Sequence, residues 1–171
     1  MDPFAEFSAA LAEETGQPER SFAALERLAE ACVGIRLFTL MRFDTDSGEG
    51  ERIYTNRPEI YPVTGRKPIP EGIWSETLFA RREIFVANSI EEIAAVFPDH
   101  EIIRSLNCGA VLNIPAIAGD QLLGCANCLD SEGAYNAERQ LKARRLAQPA
   151  AECLLLERRF SNSGGHSWDK Q

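Results

Sequence analysis

Histidine is almost missing from this chain. Only His100 and His166 occur in 171 residues, and His166 falls in a polar Gly/Ser-rich tail, so any imidazole chemistry must use His100. Positive charge is also short. Eighteen Lys and Arg face 26 Asp and Glu, a net charge of −8, which argues against nucleic acid, whose binding is dominated by cations meeting phosphates. The pairs Arg81-Arg82, Arg144-Arg145 and Arg158-Arg159 read as helix-surface charge rather than a phosphate-binding stripe. No apolar stretch approaches the ~20 residues that span a bilayer, so no membrane is expected. Met1-Asp2-Pro3 does not open a cationic region followed by an apolar run, so no signal peptide is expected. The five cysteines are odd in number and lack close, framework-like spacing. They suit free, buried thiols and a cytoplasmic location. No glycine-rich phosphate cradle is spelled anywhere.

What is present is ordinary globular composition, 44% hydrophobic and 26% charged, enough for one domain over residues 1–160 with a flexible tail over 161–171. Asp2 caps a first helix with Pro3 at its first position and Phe4, Phe7 and Leu11 as its apolar stripe. Gly16 and Pro18 stop it. A second helix carries Phe22, Leu25, Leu28 and Cys32 at helical spacing. Ile35–Phe43 reads as a strand with Ile35, Leu37, Thr39, Met41 and Phe43 on one face. Asp44–Gly50 is a polar turn, and Arg52–Asn56 is the returning strand.

Residues 57–72 hold Pro58, Pro62, Pro68 and Pro70 without periodicity, a loop of functional length. A short helix over Trp74–Ala80, a strand over Glu83–Ala87 and a helix opened by the Ser89/Glu92 capping box follow. Pro98 is expected at the first position of another short helix, with Ile102, Ile103 and Leu106 on its apolar face and Gly109 as its left-handed stop. Val111–Ile117 and Leu122–Leu129 form a hairpin about Gly119-Asp120. A long helix from Asn136 to Phe160 follows, bent by Pro149. The order predicts an α+β fold: an antiparallel sheet of five to six strands, with N- and C-terminal helices on one face and short helices plus the long loop forming a pocket on the other.

The candidate site residues are Trp74, His100, Glu101, Cys108, Asn113 and Asn127. Asn113 and Asn127 sit inside apolar strands, where asparagine is depleted and a buried amide needs partners. They mark a polar spot on the sheet face. Trp74 falls on the expected pocket wall, in a core or a stacking role. His100 and Glu101 start the short helix at the pocket edge. A His100/Cys108 catalytic pair is disfavoured, because eight helical residues put them about 12 Å apart where a nucleophile and its base need about 3 Å. Cys125 and Cys128 have metal-motif spacing, yet on a strand they point to opposite faces ~10 Å apart, so buried structural thiols are expected.

This order, with Tyr61-Pro62-Val63, Phe97-Pro98-Asp99-His100-Glu101, Leu112-Asn113-Ile114-Pro115 and Leu123-Gly124-Cys125-Ala126-Asn127 in succession, resembles a GAF domain. The resemblance covers roughly residues 21–156 and implies a GAF/PAS-like sheet with a ligand pocket on one face. Family members bind cyclic nucleotides, tetrapyrroles or other small molecules, and often pair through terminal helices. The Asn-Lys-x-x-x-Phe-x-x-x-Asp-Glu pattern of the cyclic-nucleotide binders and a bilin-type Cys/His arrangement are both missing, so no cofactor is expected.

The catalytic branch closest in pattern is the free methionine sulfoxide reductases. Their Gly-x-Cys-Gly motif is similar to Gly72-Ile73-Trp74-Ser75, and their Phe-x-Gly-His-x-x-Cys motif to Phe97–Ile103. Trp74 and Ile103 therefore stand where thiols are needed, and the upstream cysteine position falls near Thr64. That branch's acidic substrate ligands fall near Val111, Asn127 and Leu129. Reduction by this route needs an attacking thiolate and a resolving one; neither is in place.

The reading is thus a non-catalytic sensory domain with an unidentified small-molecule ligand. Two alternatives stand beside it: a thiol-dependent reductase using Cys108, and a ligand-free dimerisation module filled by Trp74 and Phe97. A continuous helix over Asn136–Phe160 would be about 37 Å long against a domain radius of gyration of about 15–16 Å. It would overhang the sheet and expose Leu146, Ala150, Cys153 and Phe160, with Phe4, Phe7 and Leu11, for a homodimer.

Overall fold

The structure, a computed structural model, describes residues 2–163. Its elements are α1 (Pro3–Ala12), α2 (Glu19–Val33), β1 (Leu37–Asp44), β2 (Glu49–Thr55), β3 (Lys67–Pro68), α3 (Ile73–Ser75) continued by a π-helical turn (Glu76–Ala80), β4 (Phe85–Ala87), α4 (Ile90–Ala94), α5 (His100–Ser105), β5 (Ala110–Ala118), β6 (Gln121–Asp130), α6 (Ala137–Ala143), a 3-10 turn (Arg144–Leu146) and α7 (Ala147–Ser163). Six strands form one sheet in the order β3-β2-β1-β6-β5-β4, and every neighbouring pair is antiparallel.

Strand period two divides the central strands between two cores. Phe38 and Leu40 of β1, Leu112 and Ile114 of β5, and Ala126 and Cys128 of β6 face α1, α2, α6 and α7. Leu37, Val111, Cys125 and Leu129 face the other way, under Trp74, Leu78, Ile93, Ile103 and Leu106. Each fully buried Leu, Ile or Phe contributes about 1.5–3 kcal/mol of transfer free energy, so both faces of the middle strands are anchored. Chain-end helices cover one face and short helices with the long loop cover the other. The fold is α+β, as expected.

The hairpin turn is set by two left-handed residues, Gly119 at φ 56° and Asp120 at φ 63°, the pair that a two-residue type I′ connection requires. Pro115 lies mid-strand in β5, where a missing N–H would normally break a ladder. Strand β4 pairs only with Val111–Asn113, so Pro115 has no ladder neighbour on that side. Gly124 serves close approach: a Cβ there would lie 1.9 Å from the Met41 carbonyl oxygen and 2.8 Å from Leu154 Cδ1.

Several local expectations are corrected. Strand β1 starts at Leu37, leaving Ile35 outside it, and the long loop holds an unforeseen edge strand, β3, that pairs with Glu49 and Gly50. Helix α5 begins at His100, with Asp99 as its N-cap and Pro98 before it. Its stop is Asn107, at φ 57°, rather than Gly109. Gly109 instead lets Glu132 approach, since a Cβ there would meet the Glu132 Cβ at 2.8 Å. Ile103 and Leu106 are buried, but Ile102 faces solvent. Ser89 caps α4 by accepting from the Glu92 N–H, while the Glu92 carboxylate reaches back to the Asn88 N–H.

The final helix is broken where the sequence places the fault. Pro149 donates no hydrogen bond to the Arg145 carbonyl and crowds that turn, and residues 144–146 tighten into a 3-10 turn. Leu146, Ala150, Cys153 and Phe7 are buried within the chain, and Phe4 and Leu11 pack on the same core. Of that apolar set only Phe160 is exposed. Residues 161–163 of the expected tail are helical; its remainder lies outside the described residues. Among the described residues no helix is long and apolar enough to cross a membrane.

Two outcomes follow. Gly124→Ala forces β1 off β6 or displaces Leu154, and should cost about 3 kcal/mol or more in urea unfolding. Burial also pushes the Cys108 thiol up to about 11 and the Cys153 thiol up to about 12. The folded chain therefore keeps protons that the unfolded chain releases near 9.0, so this stability is complete below pH 9 and is lost as pH rises through 11 to 12. Urea midpoints should be level from pH 7 to pH 8.5 and fall at pH 10 and 11. A flat profile up to pH 11 would refute the assignment.

Candidate functional site

One row of side chains crosses the sheet on the second face. Thr39 of β1 pairs in register with Asn127 of β6, and Asn127 with Asn113 of β5. In-register neighbours on one face stand close enough for side chains to bond. The Asn113 Nδ2 donates to Asn127 Oδ1 at 2.6 Å, and the Asn127 Nδ2 donates to Thr39 Oγ1 at 2.9 Å. Trp74, delivered from α3, donates its indole N–H to Asn113 Oδ1 at 3.0 Å. The Cys125 thiol donates to Asn127 Oδ1 at 3.0 Å. Each amide nitrogen thus commits one of its two protons, and the second N–H of each has no acceptor among the described residues.

Above this row lies a cavity of about 340 Å³. Its floor is Thr39, Asn113 and Asn127 with Met41, Val111 and Leu129; its walls are Tyr61, Thr64 and Lys67–Pro70 from the long loop, Trp74, Phe97–Asp99 and Ile103. Trp74 stands edge-on to Phe43 and Phe97, with ring centroids 6.0 and 6.4 Å away. It is therefore both wall and hydrogen-bond donor, and the cavity remains open beside it.

One rim carries a cation. Arg52 of β2 is 13% exposed. Its Nη1 donates to the Pro62 carbonyl at 2.7 Å, and its guanidinium carbon sits 3.7 Å from the Tyr61 ring centroid. Its Nε is buried with no hydrogen-bond partner. The Tyr61 hydroxyl donates to the Asp99 carboxylate, which lies 3.9 Å from Arg52 Nη2. Burial pushes the Tyr61 hydroxyl up, Arg52 opposes this and Asp99 adds to it. Asp99 makes no side-chain cap to α5; its carboxylate is turned to Tyr61 instead.

Of the six candidate residues, Trp74, Asn113 and Asn127 line the cavity, and His100, Glu101 and Cys108 do not. His100 is turned outward: its Nδ1 lies 3.1 Å from the Phe97 carbonyl and its Nε2 3.4 Å from Glu101, whose side chain is 75% exposed. With α5 starting two residues later than expected, Asp99 takes the inward position. Cys108 lies beyond the end of α5, buried, with its thiol 3.7 Å from the Leu106 carbonyl. Cys125 and Cys128 fall in opposite cores, and burial pushes both thiols up. All five cysteines are free, and among the described residues no three His, Cys, Asp or Glu converge to hold a metal ion.

Thr39, Arg52, Tyr61 and Asp99 are not among the candidate residues of the sequence reading, although Tyr61 and Asp99 fall in the segments expected to wall the pocket. Thr39 had a signal, a polar residue between apolar neighbours on one strand face, the same mark that singled out the two asparagines. The Arg52–Tyr61–Asp99 grouping had none, because loop, strand and helix cap meet only in the fold.

The fold has counterparts among solved structures. The GAF domain of a phosphoenolpyruvate-protein phosphotransferase from Acinetobacter superposes with a TM-score of 0.67 at 11% identity, over 94% of this chain and 96% of that one. The corresponding domain from Coxiella burnetii gives 0.66 at 16% identity, over 96% and 95%. The chromophore-binding domain of a Stigmatella aurantiaca bacteriophytochrome gives 0.62 at 16% identity, over 90% of this chain and 59% of that one. At such identities the likeness is one of fold. No curated protein matches the chain by sequence. The sequence profile of the GAF domain matches residues 19–154, most of the chain, which therefore belongs to the GAF domain family.

Proposed function

We propose that this chain is a sensory domain that binds a small molecule in the cavity over the Thr39–Asn127–Asn113 row and acts by binding rather than by catalysis. The observation that carries this reading is the unfinished hydrogen bonding of that row: two buried amides, each with an N–H uncommitted, facing an open space walled mainly by apolar side chains. Pockets for small ligands have this make-up, and about 340 Å³ is at the small end of their range of roughly 300–1,000 Å³. The fold is shared with GAF domains of sensor histidine kinases and with phytochrome chromophore-binding domains, which supports a sensory role. The reductase alternative loses support, because the Cys108 thiol is buried, held up near 11 and outside the cavity. The filled-pocket alternative loses support from the open volume beside Trp74 and Phe97. Five free thiols support a reducing, cytoplasmic setting.

Pairing through the terminal helices remains part of the proposal, on a smaller basis than the sequence suggested. It rests on Leu141, Leu155 and Phe160, the large apolar side chains exposed on α6 and α7. Light scattering at micromolar concentration should give a dimer mass; a monomer mass removes this element.

A thermal-shift screen of small metabolites tests the site. At a hundredfold excess over Kd a ligand should raise Tm by about 5–10 °C. Asn127→Leu, and Ile69→Trp filling the cavity from the loop side, should abolish that rise. His100→Ala should leave it intact. A ligand whose effect survives both cavity variants binds elsewhere, and the reading fails.

A further inference from the structure

We propose that the cavity selects an anion: a small organic carboxylate with an apolar body, paired with the unpartnered Nε–Nη2 edge of the Arg52 guanidinium. This rests on the reading of the cavity as a ligand site and names the class of molecule it takes.

A guanidinium offers its five donors as a planar fork, and Nε with Nη2 forms one bidentate edge that matches the two oxygens of a carboxylate. In Arg52 that edge is the unused one. The opposite side is tied by Nη1 to the Pro62 carbonyl at 2.7 Å, and the Tyr61 ring backs the face at 3.7 Å, so the group is held in place. Nε has no acceptor. The carboxylate nearest Nη2 is Asp99 at 3.9 Å, beyond hydrogen-bonding distance, and it already accepts from Tyr61. A cation taken out of water with a donor unmet is unfavourable; Asp99 balances its charge at 3.9 Å, but among the described residues no acceptor meets Nε.

The rest of the lining points the same way. Arg52 and Lys67 against Asp99 leave the cavity one positive charge in excess, within a chain of net charge −8. The uncommitted polar hydrogens of the floor are also donors, one on each of Asn113 and Asn127. A ligand rich in acceptors satisfies both ends. A cation meets only Asp99, and an uncharged carbonyl meets the Arg52 edge with one oxygen and no charge. Between the two ends the surface is apolar, from Met41, Trp74, Phe97, Ile103 and Leu129, which suits an alkyl or aryl body.

The test uses the full chain at low ionic strength with matched probes: 3-phenylpropionate, 3-phenylpropanamide and 3-phenylpropylamine, and 4-methylpentanoate with its amide and amine. Titration calorimetry and thermal shift should show each carboxylate binding at least tenfold more tightly than its amide and the amines not at all. Arg52→Lys keeps the charge but lacks the fork, and should weaken carboxylate binding at least tenfold. Arg52→Gln should erase the preference. Asp99→Asn removes the negative charge beside the edge and should tighten it. The folded state of each variant is checked by circular dichroism and by a Tm within a few degrees of wild type. Arg52→Lys keeps the test sound should Arg52→Gln not fold. Amides or amines that bind as well as the carboxylates, with binding lost in Ile69→Trp, overturn the anion inference while leaving the pocket reading intact. Carboxylate binding that survives Ile69→Trp overturns both. Carboxylate preference that survives Arg52→Gln, or no binding of any probe at millimolar concentration, overturns the inference.

Discussion

Everything in this structure depends on a sheet whose middle strands have no wet face. Strands β1, β5 and β6 are covered by α1, α2, α6 and α7 on one side and by the short helices on the other, and backbone pairing settles their main-chain groups. Any polar side chain in those strands must then find its partner inside the protein. Thr39, Asn113 and Asn127 do so by bonding to each other across three strands. A one-residue slip of either hairpin strand would turn an asparagine into the opposite core, so the row that floors the cavity also holds the register.

The second constraint is how the chain closes over that floor. Trp74 ties α3 to the row through its indole N–H, Phe97 leans on both Trp74 and Phe85, and the long loop brings Tyr61 onto Arg52. These contacts leave space because the covering elements are short. Three residues of α3, five of α4 and six of α5 cannot lay a continuous apolar stripe over the sheet, in contrast to α2 and α7 on the far side. One face is filled by long helices; the other is roofed by pieces, and the gap between pieces is the cavity. Burial favours the neutral form of Cys108 and Cys125, and neither lines the space.

Much of this was legible in the residues. Apolar periodicity placed the terminal helices and the central hairpin, Gly119-Asp120 announced its turn, and Pro149 marked the break in the last helix. Asn113, Asn127 and Trp74 could be singled out because each is a residue type out of keeping with a plain strand or a short surface helix. These are local signals: period, turn chemistry and an amide among apolar neighbours state their meaning within ten residues or so.

What the sequence by itself determined is the α+β order, the two-sided burial of the central strands and two of the three polar residues in the cavity floor. The tertiary structure alone decided which end of Asp99-His100-Glu101 faces inward, since that turns on where α5 starts, and a two-residue shift exchanges the inward and outward positions. It alone brought Arg52, Tyr61 and Asp99 together, from a strand, a loop and a helix cap separated by up to 47 positions in the chain. It alone buried the helix surface that seemed to need a partner. Such facts are long-range because they depend on which apolar faces meet, and those meetings are set by the packing of the whole chain rather than by any segment's own preference.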